Sequence, residues 1–379
     1  MNNSVSQELL KFLQKSPTAF HAVAQMKNEL LKAHFTELKE NERWNIECGK
    51  HYFVTRNDSS LIAFTIPENG IDKMHILTSH SDSPTFKIKE NPEIEVEKHY
   101  VKLNVEKYGG MLCAPWFDRP LSVAGRVIIK DKTNGQFASK LVNIDRDLVM
   151  IPNLAIHMNR EINSGYNYNA QKDLLPLYGC GSPKGTFMEQ IAEAAGVEKD
   201  EILGHDLFLY NRQEGSIWGA SEEFISSGRL DDLQCAFASL QGFLSGEKRD
   251  CMAVHCVLDN EEVGSGTKQG AASTFLKDTL LRIHNGLGRT YEEYLMTLAG
   301  SFMISADNAH ALHPNYIEKA DPVNRPLPNG GIVIKYNANQ KYCTDAVSAA
   351  KFKDLCDRAG VKYQTFVNRS DVPGGSTLG

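Results

Sequence analysis

The chain has 379 residues, 41% of them hydrophobic and 23% charged, with a formal net charge of −6. That is an ordinary globular composition, long enough for two or three domains with sizeable apolar cores. It counts against a membrane span, because no apolar run approaches the roughly 18 residues a bilayer-crossing helix needs, and against nucleic acid, because no basic stripe matches a phosphate backbone.

At the N-terminus, Leu9, Leu10, Phe12 and Leu13 alternate with polar residues, which reads as an amphipathic helix rather than a secretory signal. Helical spacing of apolar residues continues from Val5 to Leu38 and is broken once, at Ser16-Pro17-Thr18, where a hydroxyl cap and a proline start a second helix. Strands are expected over Tyr52–Thr55, Leu61–Ile66 and Met74–Thr78, the last leading into His80. From about 86 to 226 the pattern changes: Ile94 and Val96, then Val101, Leu103 and Val105, alternate with charged residues at the period of half-exposed strands. This stretch reads as a separate β-rich domain inserted into the first. After Arg229 a helix (about 232–244) and strands at Ala253–Leu258 and Phe302–Ser305 alternate again. The fold class is α/β: a mixed, largely parallel sheet with helices on both faces, built from 1–85 and 227–379, plus the β-rich insert at 86–226. Eight cysteines without a CxxC pair fit reduced, mostly buried thiols in a cytosol.

Four segments concentrate metal-binding side chains: His80-Ser81-Asp82, Gly228-Arg229-Leu230-Asp231-Asp232, Asp259-Asn260-Glu261-Glu262 and Ser305-Ala306-Asp307-Asn308-Ala309-His310. Three follow apolar strand runs, and open α/β sheets gather their sites beyond the carboxyl ends of strands. Imidazole nitrogen and carboxylate oxygen suit zinc. Asp82 is spaced to hold the His80 imidazole in its ligating tautomer. Within Glu261-Glu262, one carboxylate can bind metal while the other moves a proton. Taken singly, each segment has a plainer reading: a hydrogen-bonded His-Asp pair, an N-cap at Asp231-Asp232, a solvated Glu-Glu face. Together they would repel one another unless cations neutralised them. The sequence has no GxSxG elbow, HExxH or Walker-type loop, and Gly264–Gly270 misses the dinucleotide pattern.

The segments HSDSPTFKIK, GRLDDL, DNEEVGS, SADNAHALHPN, IKYNANQKY and DVPGGSTLG, in this order, resemble the successive signatures of the aspartyl aminopeptidase family of zinc peptidases. The resemblance runs from SPTAFHAV near residue 16 to the last residue. It implies a catalytic domain of the zinc exopeptidase type interrupted by a dimerisation domain, dimers assembled into tetrahedral dodecamers, a cytoplasmic location and two zinc ions per subunit. On matching positions Asp231 bridges the two ions, His80 and Asp307 complete one site, and Glu262 belongs to the other. Glu261 is the general base for a water held by the metals. His310 and Lys335 contact the substrate, and His157 reaches the active site of a neighbouring subunit. The implied activity is removal of N-terminal Asp or Glu from peptides. Family members continue for several dozen residues past GGSTLG, including a distal histidine that ligates the zinc shared by Asp231 and Glu262; this chain ends at Gly379, so the second site is expected to lack that ligand. Two alternatives stand beside this expectation: a preference for neutral, apolar N-terminal residues, and a non-catalytic assembly or peptide-binding protein.

Overall fold

The structure is a computed structural model describing residues 3–131, 135–181, 183–246 and 251–375. It opens with helices α1 (Asn3–Gln14) and α2 (Ala19–Lys32), the amphipathic pair expected around Ser16-Pro17-Thr18. Thr18 does not cap α2 with its side chain; its hydroxyl lies 2.9 Å from Nδ1 of His21 instead. The helical pattern stops earlier than its spacing predicts. His34 takes a left-handed backbone (φ 64°), and the chain turns into a strand, β1 (Thr36–Leu38).

Strands β2 (His51–Arg56), β3 (Ser60–Thr65) and β4 (Met74–His80) follow. The next strands, β5 (Thr85–Val96), β6 (Tyr100–Tyr108), β7 (Leu121–Lys130), β8 (Phe137–Asn143) and β9 (Leu177–Cys180), lead to helix α3 (Phe187–Ala195). After it come β10 (Ile202–Asn211) and the hairpin β11 (Ser216–Trp218) with β12 (Phe224–Ser226). Helix α4 (Leu230–Ser245), β13 (Met252–Leu258), helices α5 (Phe275–Gly286) and α6 (Tyr291–Ala299), and β14 (Phe302–Ser305) return to the first sheet. The chain closes with β15 (Ile332–Tyr336), α7 (Ala346–Ala359) and β16 (Tyr363–Val367), a parallel pair of strands joined by a helix.

The first sheet has the order β1-β2-β3-β13-β4-β14. Its β1-β2, β13-β4 and β4-β14 pairings are parallel, while β2-β3 and β3-β13 are antiparallel. Alternation along each strand feeds two cores, as the two-residue side-chain period requires. Tyr52, Val54, Ile62, Phe64, Val254 and Cys256 pack with Phe275 and Ile283 of α5 and Tyr294 of α6. Phe53, Leu61, Ala63 and Val257 pack with α1, α2 and α4 through Leu13, Met26, Leu233 and Phe237. The sheet is thus covered on both faces.

The second sheet, β8-β7-β10-β5-β6-β9, is antiparallel throughout and has a core of its own, in which Phe86, Leu103, Val123 and Leu207 meet Phe187 and Ile191 of α3. None of the eight cysteines forms a disulfide; Cys256 and Cys356 are buried as expected of small apolar side chains, but Cys48, Cys180 and Cys343 are exposed. No helix among the described residues is long and apolar enough to cross a membrane.

Candidate metal centre and active site

In the parallel trio β13-β4-β14, Leu258 lies opposite His80 and Ser305 opposite Thr78. β4 and β13 therefore end level, and β14 ends two residues earlier on the same side. The chain leaving β4 delivers His80 and Asp82, that leaving β13 delivers Asp259 to Glu262, and that leaving β14 delivers Asp307 and His310. The start of α4 arrives from the side with Asp231 and Asp232, which are joined by a cis peptide bond and have non-helical backbones. Neither carboxylate caps α4, so the N-cap reading of this pair does not hold.

His80 is almost fully buried at the centre of the group. Its Nε2 stands 3.4 Å from Asp231 Oδ1 and 3.9 Å from Glu261 Oε2. On the other side of the ring, Nδ1 is 3.1 Å from the Asp82 carbonyl oxygen and 3.3 Å from the Asp82 carboxylate. Ligand atoms of His80, Asp231, Asp232 and Asp307 lie within 4.8 Å of one another, and those of His80, Glu261 and Glu262 form an overlapping group. Asp232 was not singled out by spacing. It is wholly buried, its Oδ2 accepts the backbone N–H of His80 at 3.0 Å, and its Oδ1 has no hydrogen-bond partner.

Crowding shows in the acidities. Burial, reinforced by Asp231, Asp82 and Glu261, pushes the Glu262 carboxyl up to about 8 against the pull of His80. Burial likewise raises Asp232 to about 7 and lifts Glu261 and Asp307 above the ordinary carboxylate range. Burial alone would lower His80, but hydrogen bonds to Asp231 and Asp82 outweigh it and hold the imidazole up to about 12. Among the described residues, His80 and Lys335 are the cations facing these carboxylates, too few to balance them. The donor set of the cluster, one imidazole and several carboxylates around the orphaned Asp232 oxygen, fits zinc.

A scaffold fixes the cluster from behind. Asp82 accepts the backbone N–H of Glu261 on Oδ1 (3.1 Å) and, on Oδ2, both the N–H of Glu262 (3.2 Å) and the Tyr108 hydroxyl (2.7 Å). The amide of Asn260 donates to the same hydroxyl at 2.8 Å. Tyr108 comes from the second sheet. Beside it Gly109 has φ 76°, and a Cβ there would lie 3.0 Å from Cβ of Glu262, so the position admits only glycine without displacement.

A cleft opens on the cluster, lined by Asp231, Glu261, Glu262, Asp307, His310 and Lys335. Lys335, on β15, donates to the carbonyl oxygen of Asn308 at 2.8 Å, stands 3.6 Å from Asp307 and lies over the ring of Tyr342. The exposed His310 is near Phe366 on the cleft wall. His157 is not brought to the site of its own chain: it sits exposed in the short turn Ile156–Met158 and lines no part of the cleft.

The family described as aminopeptidase I zinc metalloprotease (M18) matches residues 12–379. The chain belongs to the M18 family. It is a zinc-dependent metalloaminopeptidase. Over 387 residues it is 49% identical to a probable M18 family aminopeptidase 2 of Clostridium novyi (strain NT), an alignment covering 100% of this chain and 89% of that protein. Among solved structures, the Ape4 chain of a cryo-EM complex of Ape4 and Nbr1 superposes with a TM-score of 0.95 at 36% identity, covering 100% of this chain and 77% of that one. The mApe1 dodecamer of S. cerevisiae gives 0.84 at 29% identity, covering 96% and 84%. Sequence spacing gives no place in this cluster to Tyr108 and no role of their own to Asp232 and Asn260, although these two fall within the acidic segments that meet there.

Proposed function

We propose that this M18 aminopeptidase removes N-terminal Asp and Glu from peptides; His80, Asp231, Glu262 and Asp307 would hold two zinc ions, Asp231 serving both sites. The observation that carries the acidic preference is the charge of the cleft beyond the metal-binding and base carboxylates: Lys319, Arg325 and Lys335 line it against Asp321, while Arg369 is held by Asp371 at 2.7 Å. When bound, zinc supplies Lewis acidity that polarises a carbonyl and makes water nucleophilic near neutral pH. Glu261, half-buried with its pKa raised by burial, accepts the proton of the attacking water and returns it to the leaving amine. Asp82 keeps the His80 ring and the Glu261-Glu262 backbone in place. His310 and Lys335 hold the N-terminal residue of the substrate.

A second reading, preference for neutral apolar N-termini, is favoured by the engagement of Lys335 with Asn308 and Asp307, which leaves its charge partly spent. Asp-, Glu- and Leu-terminated peptides separate the two. Acidic recognition requires Lys335→Met to lower kcat/KM on Asp-terminated substrates at least about tenfold more than on Leu-terminated ones, an interaction of roughly 1.4 kcal/mol. Equal losses would make Lys335 structural and leave the neutral preference standing.

We further propose that residues 86–226 form a dimerisation domain, that dimers build a cytosolic assembly like the mApe1 dodecamer, and that His157 reaches a neighbouring active site. Support comes from the separate core of the second sheet and from exposed Leu154, Ile156 and Met158 around His157. Mixing inactive His157→Ala with inactive Glu261→Gln subunits is expected to restore part of the activity, since some interfaces pair an intact base with an intact histidine. No recovery in verified mixed assemblies would defeat the idea.

A further inference from the structure

A second cavity, of about 220 Å3, lies between the two sheets and shares no lining residue with the cleft. Its walls come from the start of α2 (Ala19, Phe20), the chain after β4 (Ser81 to Pro84), β10 (Asp206 and Phe208 to Asn211), Trp116 and Arg229.

The arginine is the unusual element. Its Nη2 donates to the carbonyl oxygen of Leu13 at 2.9 Å, but its Nε is buried without any hydrogen-bond partner. Among the described residues no carboxylate pairs with it; besides the Leu13 carbonyl, Tyr210 acts favourably on its charge. The acids on the same wall are already engaged. Asp206 is held by Lys87 and Arg126, each at 3.0 Å. Asp82 is occupied by Tyr108 and the Glu261-Glu262 backbone, and Asp259 accepts the N–H of Asn260 at 2.8 Å. Lys87 is thus matched by Asp206, and Arg229 is the one cation among the described lining residues that no carboxylate pairs. A buried guanidinium N–H without an acceptor is costly, and a carboxylate is the group whose geometry matches its planar donors. Phe20, Trp116 and Phe208 offer apolar and aromatic surface around it. An apolar cavity of about 150 Å3 already takes benzene, so this one has room for a ring-sized body.

We propose that this cavity binds a small organic carboxylate, its acid group on Arg229 and its apolar body among Phe20, Trp116 and Phe208. Two sources share that chemistry: a free amino acid, which is what an aminopeptidase releases, and an acid without an amine. Occupancy acts on catalysis at second hand, since Arg229 precedes the Leu230-Asp231 segment and Asp82 forms part of the cavity wall.

The test uses the full zinc-loaded chain and 4-bromobenzoate, whose bromine is located in crystals by anomalous scattering while its affinity is measured by calorimetry. The bromine is expected between Phe20, Trp116 and Phe208. Affinity should fall at least about tenfold in Arg229→Met, the loss of one charge-assisted contact. Ala19→Leu, which fills the cavity and leaves Arg229 in place, should cause a similar fall and keeps the test decisive if Arg229→Met does not fold. Bromine found only at the metal cluster, or unchanged affinity in Ala19→Leu, would overturn the proposal. L-Phenylalanine and 3-phenylpropionate, each compared between wild type and Ala19→Leu, then decide the source: whichever loses affinity in the variant belongs to the cavity, and loss by neither overturns it as well.

Discussion

The two sheets solve different problems with the same strand geometry. In the second, antiparallel strands pack one apolar face against α3, and a strand end has no neighbour of matching direction beside it. In the first, three neighbouring parallel strands release their chains at the same end of the sheet, so imidazole and carboxylates from segments more than 200 residues apart meet within a few ångströms. The contrast teaches that the chemistry belongs to the parallel trio, while the second sheet reaches its scaffold at Tyr108 and Gly109 and meets the first sheet elsewhere through Arg126 and Asn57.

The strongest test of that division is Glu261→Gln. It keeps the shape of the side chain and removes the proton acceptor, so kcat should fall by about 10²–10⁴ with zinc content unchanged. Near-normal turnover would move the base elsewhere and break the assignment of chemistry to this strand end. Tyr108→Phe probes the contact between the second sheet and this scaffold. It removes one hydrogen bond to Asp82 and one from Asn260, and an outer partner of this kind is worth about 10–100-fold in activity or metal affinity. An unaltered enzyme would mean that the second sheet only covers the site.

The smallest effect concerns the interior of the first sheet. His255 on β13 is wholly buried, neither ring nitrogen has a hydrogen-bond partner, and burial drives its pKa down to about 3. Its folded value lies below the unfolded 6.5, so its contribution to stability is complete above about pH 6.5 and is lost as the pH falls toward 3. Between pH 8 and 5.5 this amounts to about 1.4 kcal/mol. His255→Phe should flatten the pH dependence of the denaturant midpoint by that amount. Identical slopes for both proteins would show that acid does not act through this strand.

Much of the first sheet was legible because buried strands write themselves as apolar runs: Tyr52–Thr55 and Met74–Thr78 fall inside β2 and β4, and Phe302–Ser305 coincides with β14. The strand β1 was hidden in a helical pattern, since a left-handed His34 leaves little trace in hydrophobic spacing. At the site, His80, Asp231, Glu261, Glu262 and Asp307 were visible as carboxylate-rich segments after strands. Tyr108 was not, because its partners Asp82 and Asn260 are 26 and 152 residues away and nothing in the local Lys107-Tyr108-Gly109 sequence announces them. Long-range polar contacts of this kind are products of tertiary packing, and periodicity carries no information about them.

Gly109 has a bearing on how the molecule can change over time. A methyl group at Gly109 would stand 3.0 Å from Cβ of Glu262 on a left-handed backbone, so any other residue there would press on the turn that carries the glutamates. An insert of the same fold grafted from a relative would have to reproduce that approach as well as its own core. The second sheet is therefore not an exchangeable module: its outer strands and loops can drift, while the end of β6 is bound to evolve in step with the Asn260-Glu261-Glu262 turn it touches.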